Sequence, residues 1–229
     1  QDFGLQAQPH PQAFAPCPQA LGLYAVLPDA NWVGRMARAG VPTVQLRFKS
    51  DDEAAVQREV DIAVEAVRGT GSLLFINDHW QAAIRAGAYG VHLGQEDIDT
   101  ADLKAIRSEG LRLGLSSHGY AEMVRVDRLS PSYVAMGAVY ATNLKVMPTV
   151  PQGPGRLAAY ARLMRDHALV AIGGIDEQRL PDVLASGAGS VGVVRALIAA
   201  EQPEAVAAKW KAVIGANDSA RPVGHPQQT

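Results

Sequence analysis

From Gly22 onward, short apolar runs alternate with longer stretches in which apolar residues recur every three or four positions. The short runs read as buried parallel strands and the longer ones as helices with one packed face. The strand-type runs are GLYAVLP from Gly22, TVQLRF from Thr43, LLFIND from Leu73, GVHLG from Gly90, LRLGLSS from Leu111, SYVAMG from Ser132, LVAIGGI from Leu169 and GSVGVVRAL from Gly189. Helices are predicted over Asn31 to Ala39, around Val56, Val60, Ala63, Val64 and Val67, over Trp80 to Ala86, near Thr100 to Ser108, from Tyr120, and from about Gly155 to Arg165. A last one uses Val206, Trp210, Val213 and Ile214. Eight strands alternating with helices over this length predict an α/β fold, a (β/α)8 TIM barrel, rather than an open doubly wound sheet.

The barrel is expected over residues 21–215, with a flexible extension at 1–20 and a mobile, Pro-containing tail at 216–229. The longest connection, Ala138 to Pro154, is too long for a tight turn and has the length of a functional loop. The chain of 229 residues has a net charge of −2, so neither nucleic acid nor an anionic membrane is drawn to the molecule as a whole. Any anion site must be local, and a small phosphorylated metabolite suits it better. Cys17 is the single cysteine, which excludes an internal disulfide and a CxxC metal or redox pair and favours a reducing cytoplasm. No run reaches the roughly 18 apolar residues of a membrane span. A homo-oligomer is compatible with the sequence.

In such a barrel the chemistry gathers where the strands end. Asp78 closes the third strand and Asp97 follows the fourth, so the two carboxylates can face one hard cation such as Mg²⁺, with room left for water and phosphate. The competing reading is that both are helix N-caps. Gln45, Arg47 and Lys49 alternate with Leu46 and Phe48 and are expected to point one way as a polar, doubly cationic row. That row serves either an anion or a neutralising pairing with Asp78 and Asp97. Gly173 and Gly174 end strand seven, where backbone N–H groups often hold phosphate. Ser116 and Ser117 end strand five, and Thr142, Asn143 and Lys145 lie on the long loop. His92 is expected to be a hydrogen-bonded packing residue and His118 a helix cap. No Gly-x-Ser-x-Gly elbow, HExxH or P-loop is present. Two anion sites on one face point to two phosphorylated substrates, one of them carrying pyrophosphate.

Taken in order, QLRFK, FINDHW, YGVHLGQED, LGLSSH, TNLK with MPTVPQG, and AIGGI resemble the thiamine phosphate synthase family over about Gly22 to Leu197. The resemblance implies a transferase that joins 4-amino-2-methyl-5-(diphosphooxymethyl)pyrimidine to a thiazole phosphate, giving thiamine phosphate and pyrophosphate. It implies Mg²⁺ on Asp78 and Asp97. It implies that Gln45, Arg47, Lys49, Asn77, Ser116 and Lys145 hold the pyrimidine diphosphate, with Arg47, Lys49 and Lys145 acting on the departing pyrophosphate. Thr142, Asn143, Leu144, Gly174, Val194 and Arg195 would hold the thiazole phosphate. The chain departs from the usual Pro-Thr-x-Thr-Lys loop at Ala141 and Leu144, and Arg195 stands where strand eight often ends in Ser. Two rivals fit the same barrel: a thiazole tautomerase-like isomerase without metal, and a non-catalytic barrel that binds a phosphate ligand.

Overall fold

The computed structural model describes residues 12–142 and 150–219. Its elements run β1 (Gly22–Leu27), α1 (Ala30–Arg38), β2 (Thr43–Leu46), α2 (Glu53–Val67), β3 (Leu73–Asn77), α3 (Trp80–Ala86), β4 (Gly90–Leu93), α4 (Leu103–Ser108) and β5 (Arg112–Ser117). They continue as α5 (Tyr120–Asp127), β6 (Tyr133–Met136), α6 (Gly153–Leu163), β7 (Leu169–Ile172), α7 (Leu180–Ala185), β8 (Ser190–Val193), α8 (Arg195–Ile198) and α9 (Pro203–Ser219). The strands pair in sequence order and all in parallel, and β1 meets β8 in the register Tyr24 to Gly192, closing the barrel. This is the expected (β/α)8 architecture.

The period of two along each strand divides the core into two layers. Leu23, Ala25, Val44, Leu46, Leu74, Ile76, Val91, Leu113, Leu115, Val134 and Val191 face outward, where they are buried beneath the helices. On α2 the residues that meet them are Val56, Val60 and Ala63, spaced as the sequence pattern requires. Asp52 caps that helix by accepting from the N–H groups of Ala54 and Ala55, and Asp29 and Asp102 serve α1 and α4 in the same way. On α9 Trp210 and Ile214 are buried, but Val213 is exposed, so only part of the predicted face is packed.

The inward layer is aromatic at its centre. Tyr24, Phe75 and Tyr133 meet across the barrel with ring centroids 6.1 Å (Tyr24–Phe75), 5.0 Å (Phe75–Tyr133) and 5.6 Å (Tyr24–Tyr133) apart. Gly114 makes room for them, since a Cβ there would lie 2.1 Å from the Tyr133 ring. Below this layer sit Leu21 and Ala168, with Cys17 packed against the cluster.

Three boundaries differ from the sequence reading. Strand β2 stops at Leu46, because from Arg47 the chain leaves the sheet to reach α2. Strand β8 stops at Val193, and Arg195 opens a short helix instead of continuing the strand. The expected extension is packed from Phe14 onward: Phe14 is buried, its N–H donates to the Ser130 carbonyl, and Ser132 Oγ donates to the Ala15 carbonyl at 2.6 Å. The apolar Phe14, the Ser130 carbonyl and the Ser132 hydroxyl tie this segment to the barrel, a non-local attachment that its Pro and Gln content conceals.

Candidate active site

All eight strands aim their C-terminal ends into a single cavity of about 400 Å³, a size that suits a small metabolite. Its floor comes from inward strand positions: Tyr24 and Val26 on β1, Gln45 on β2, Asn77 on β3, His92 on β4, Ser116 on β5, and Tyr133 and Ala135 on β6. Its rim comes from residues just past the strands, namely Arg47, Asp78, Asp97, His118, Thr142, Gly173, Gly174, Val194 and Arg195.

Asp78 sits on a backbone bend with φ 63°, a left-handed conformation that Asp tolerates better than most residues. It is not the N-cap of α3; His79 holds that position and makes no side-chain cap. Asp97 Oδ2 accepts instead from the N–H of Gly94 at 3.1 Å, behind it in the chain. The helix-cap reading therefore fails for both carboxylates, while Asp29, Asp52 and Asp102 show what real caps look like here.

Asp78 opens to solvent through the cavity, yet reduced hydration of its carboxyl pushes its pKa up, and the negative charge of Asp97 adds to the rise; Arg47 opposes it. A carboxylate whose ionised form is disfavoured by a second carboxylate beside it is a natural place for a cation. Among the described residues no group of three or more His, Cys, Asp or Glu side chains could hold a metal. The protein would thus give two carboxylates and leave the other positions to water and phosphate oxygens, which matches the habits of Mg²⁺. The donor set fits that ion.

Arg47 faces the cavity, but Lys49 does not join it: Lys49 is exposed and lies outside the lining. Strand alternation does not extend past Leu46, so the expected three-residue row is cut after Arg47. The loop is instead fixed by His79 Nε2, 2.9 Å from the Phe48 carbonyl oxygen. Asn143, Leu144 and Lys145 lie outside the described residues.

On the opposite side Gly173 and Gly174 turn with φ 105° and 63°. A Cβ on Gly174 would lie 2.5 Å from the Ala141 carbonyl oxygen, so only glycine lets the loops after β6 and β7 meet. With Arg195 exposed beside them, the bend offers backbone N–H groups and a cation to one phosphate.

His92 is hydrogen-bonded as expected, but it also lines the cavity, with Nδ1 2.7 Å from the Tyr133 hydroxyl and Nε2 2.9 Å from Ser116 Oγ. His118 does not cap α5. Glu122 reaches back to it, its Oε2 accepting from the His118 N–H and lying 2.7 Å from Nδ1. Tyr24 and Tyr133 were missed in the sequence because tyrosine in a strand reads as packing. The usable signal was that both fall on inward positions shared with Gln45, His92 and Ser116.

A family model described as thiamine monophosphate synthase matches residues 23–197. The thiamine-phosphate synthase of Neisseria gonorrhoeae (strain ATCC 700825 / FA 1090) is 51% identical over 200 residues, spanning 87% of this chain and 98% of that protein. That of Yersinia pseudotuberculosis serotype O:1b (strain IP 31758) is 49% identical over 179 residues, spanning 78% and 83%. Among solved structures, thiamine phosphate pyrophosphorylase from Pyrococcus furiosus superposes with a TM-score of 0.75 at 22% identity, covering 86% of this chain and 96% of that one. A 3-hexulose-6-phosphate synthase also superposes, with a TM-score of 0.60 at 16% identity, covering 83% and 98%. The fold alone is thus shared with other chemistries, and what decides is the sequence identity, which runs the length of the barrel that carries Asp78, Asp97 and the Gly173–Gly174 bend: the chain belongs to the thiamine monophosphate synthase family.

Proposed function

We propose that this cavity joins 4-amino-2-methyl-5-(diphosphooxymethyl)pyrimidine to thiazole phosphate by a dissociative substitution. The carrying observation is that Arg47, the Asp78–Asp97 pair and the glycine bend with Arg195 open into one cavity, providing separate places for a pyrophosphate and a phosphate. The bond from the pyrimidine methylene carbon to oxygen breaks, and its electron pair leaves with pyrophosphate. The thiazole nitrogen then supplies the pair for the new carbon–nitrogen bond. No side-chain nucleophile is required.

Asp78 and Asp97 would hold Mg²⁺, which when bound offsets the charge that builds up on the leaving group. Arg47 does the same from the end of β2 through paired N–H donors. Lys145 is assigned to the leaving group on the family resemblance alone, and the exposed Lys49 would have to swing in to assist. Asn77 and Ser116 offer polar groups to the pyrimidine diphosphate, while the Gly174 backbone, Thr142 and Arg195 hold the thiazole phosphate. A cytoplasmic setting goes with this reading, supported by the single cysteine; among the described residues no helix is long and apolar enough to cross a membrane.

The test is thiamine phosphate formation and pyrophosphate release from both substrates, with and without Mg²⁺. Product should depend on all three. Asp78→Ala and Asp97→Ala should each abolish Mg²⁺-dependent synthesis while leaving the circular dichroism spectrum unchanged; normal synthesis in both variants would remove the metal assignment. Saturable ligand binding with no product from the unaltered protein would overturn the synthase reading in favour of an isomerase-like or binding-only barrel.

A further inference from the structure

Beneath the cavity five polar side chains from five strands touch in series. Gln45 Nε2 lies 2.9 Å from the Tyr24 hydroxyl. The Tyr24 and Tyr133 hydroxyls are 2.6 Å apart. His92 Nδ1 follows at 2.7 Å from Tyr133, and His92 Nε2 is 2.9 Å from Ser116 Oγ. The first four are buried, so within this stretch each proton has few places to go.

We infer that these residues form a one-way hydrogen-bond relay that sets the His92 tautomer and leaves the Ser116 hydroxyl proton free to point into the cavity, making Tyr133 a positioning residue for Ser116. The direction follows from counting donors. The Gln45 amide nitrogen can only donate. Tyr24 therefore accepts, and its single proton goes to Tyr133. Tyr133, having accepted, gives its own proton to His92 Nδ1. The imidazole proton then resides on Nε2 and is donated to Ser116 Oγ. Ser116 has accepted from His92 and keeps its own proton for an acceptor on the cavity side. Reversal would need the Gln45 amide turned over, with Oε1 accepting from Tyr24. Burial supports the arrangement, because it raises the pKa of both tyrosines and keeps each phenol protonated.

The role in synthesis rests on the function proposed above: Ser116 would present a donor to an oxygen of the pyrimidine diphosphate. The tautomer itself does not, and this keeps the two failures apart. In ¹⁵N NMR of histidine-labelled protein without substrate, with the His92 signals identified by their loss in His92→Gln, the ring should be in the Nε2–H form. An Nδ1–H ring in the unaltered protein overturns the relay whether or not synthesis is observed. Tyr133→Phe should bring an Nδ1–H population into the same spectrum. It should lower kcat/KM for the pyrimidine diphosphate about three- to tenfold, the range for one neutral hydrogen bond, with KM for thiazole phosphate unchanged. Tyr133→Phe should cost little when added to Ser116→Ala, because Tyr133 acts through the Ser116 hydroxyl and has nothing left to position. Fully additive losses, or an unchanged His92 tautomer in Tyr133→Phe, would refute it. Lack of synthesis by the unaltered protein would strike the proposed reaction and leave the relay to be judged by the spectrum.

Discussion

At the scale of single residues, the absence of a side chain at Gly114 matters as much as any group present. The Tyr133 ring occupies the volume that a Cβ on Gly114 would need, 2.1 Å from the built position. Gly114→Ala should therefore force the ring aside and destabilise the fold by about 1–3 kcal/mol, seen as a lower urea midpoint with an unchanged slope. Gly174→Ala acts differently. Its φ of 63° and the Ala141 carbonyl in its way place the damage at the rim. It should raise KM for thiazole phosphate about tenfold or more while KM for the pyrimidine diphosphate changes little, as steady-state kinetics with each substrate varied in turn would show. These residues differ in how far the sequence discloses them. The Gly173–Gly174 pair is legible because its place at a strand end signals its use. Gly114 is silent, since the ring it accommodates comes from the next strand, and only the assembled barrel brings the two together. Asp78 is legible as a carboxylate at a strand end; its left-handed backbone is not.

At the scale of elements, alternation within strands is a dependable guide for as long as the strand lasts. It places Gln45 inward and Leu46 outward, then fails at Lys49 because β2 has already ended. Strand ends are set by where the neighbouring strand stops offering carbonyl and N–H groups, which is non-local information. The N-terminal segment makes the same point. Phe14 is a lone apolar residue among Pro, Gln and Ala, yet it is buried, and the Arg107 guanidinium lies 4.4 Å above its ring. Phe14→Ala should cost roughly 3 kcal/mol of stability, the usual loss for a large buried ring, measured by chemical denaturation. KM for both substrates should remain unchanged, because Phe14 does not line the cavity.

At the scale of the whole molecule, a net charge of −2 coexists with two cations, Arg47 and Arg195, set on a cavity rim that also carries Asp78 and Asp97. Attraction of phosphorylated substrates is therefore local and open to screening. Raising NaCl to about 0.5 M shortens the Debye length to a few ångströms, and KM for both substrates should rise about three- to tenfold while kcat falls less; Na⁺ and K⁺ salts of the same anion should act alike. The fold itself was readable from the repeated strand–helix rhythm. The composition of the inner layer was not, because period two reveals which side chains share the interior without saying which of them touch.

Among the described residues that inner layer closes the barrel below the cavity. Tyr24, Phe75 and Tyr133 span the interior, and Leu21, Ala168 and Cys17 fill it from beneath. In the proposed synthesis two substrates and two products would then share the mouth at the strands' C-terminal ends. Whichever molecule lies deeper has to arrive first, and its remnant departs last. The floor thus imposes a queue on the reaction, and product-inhibition patterns would reveal its order.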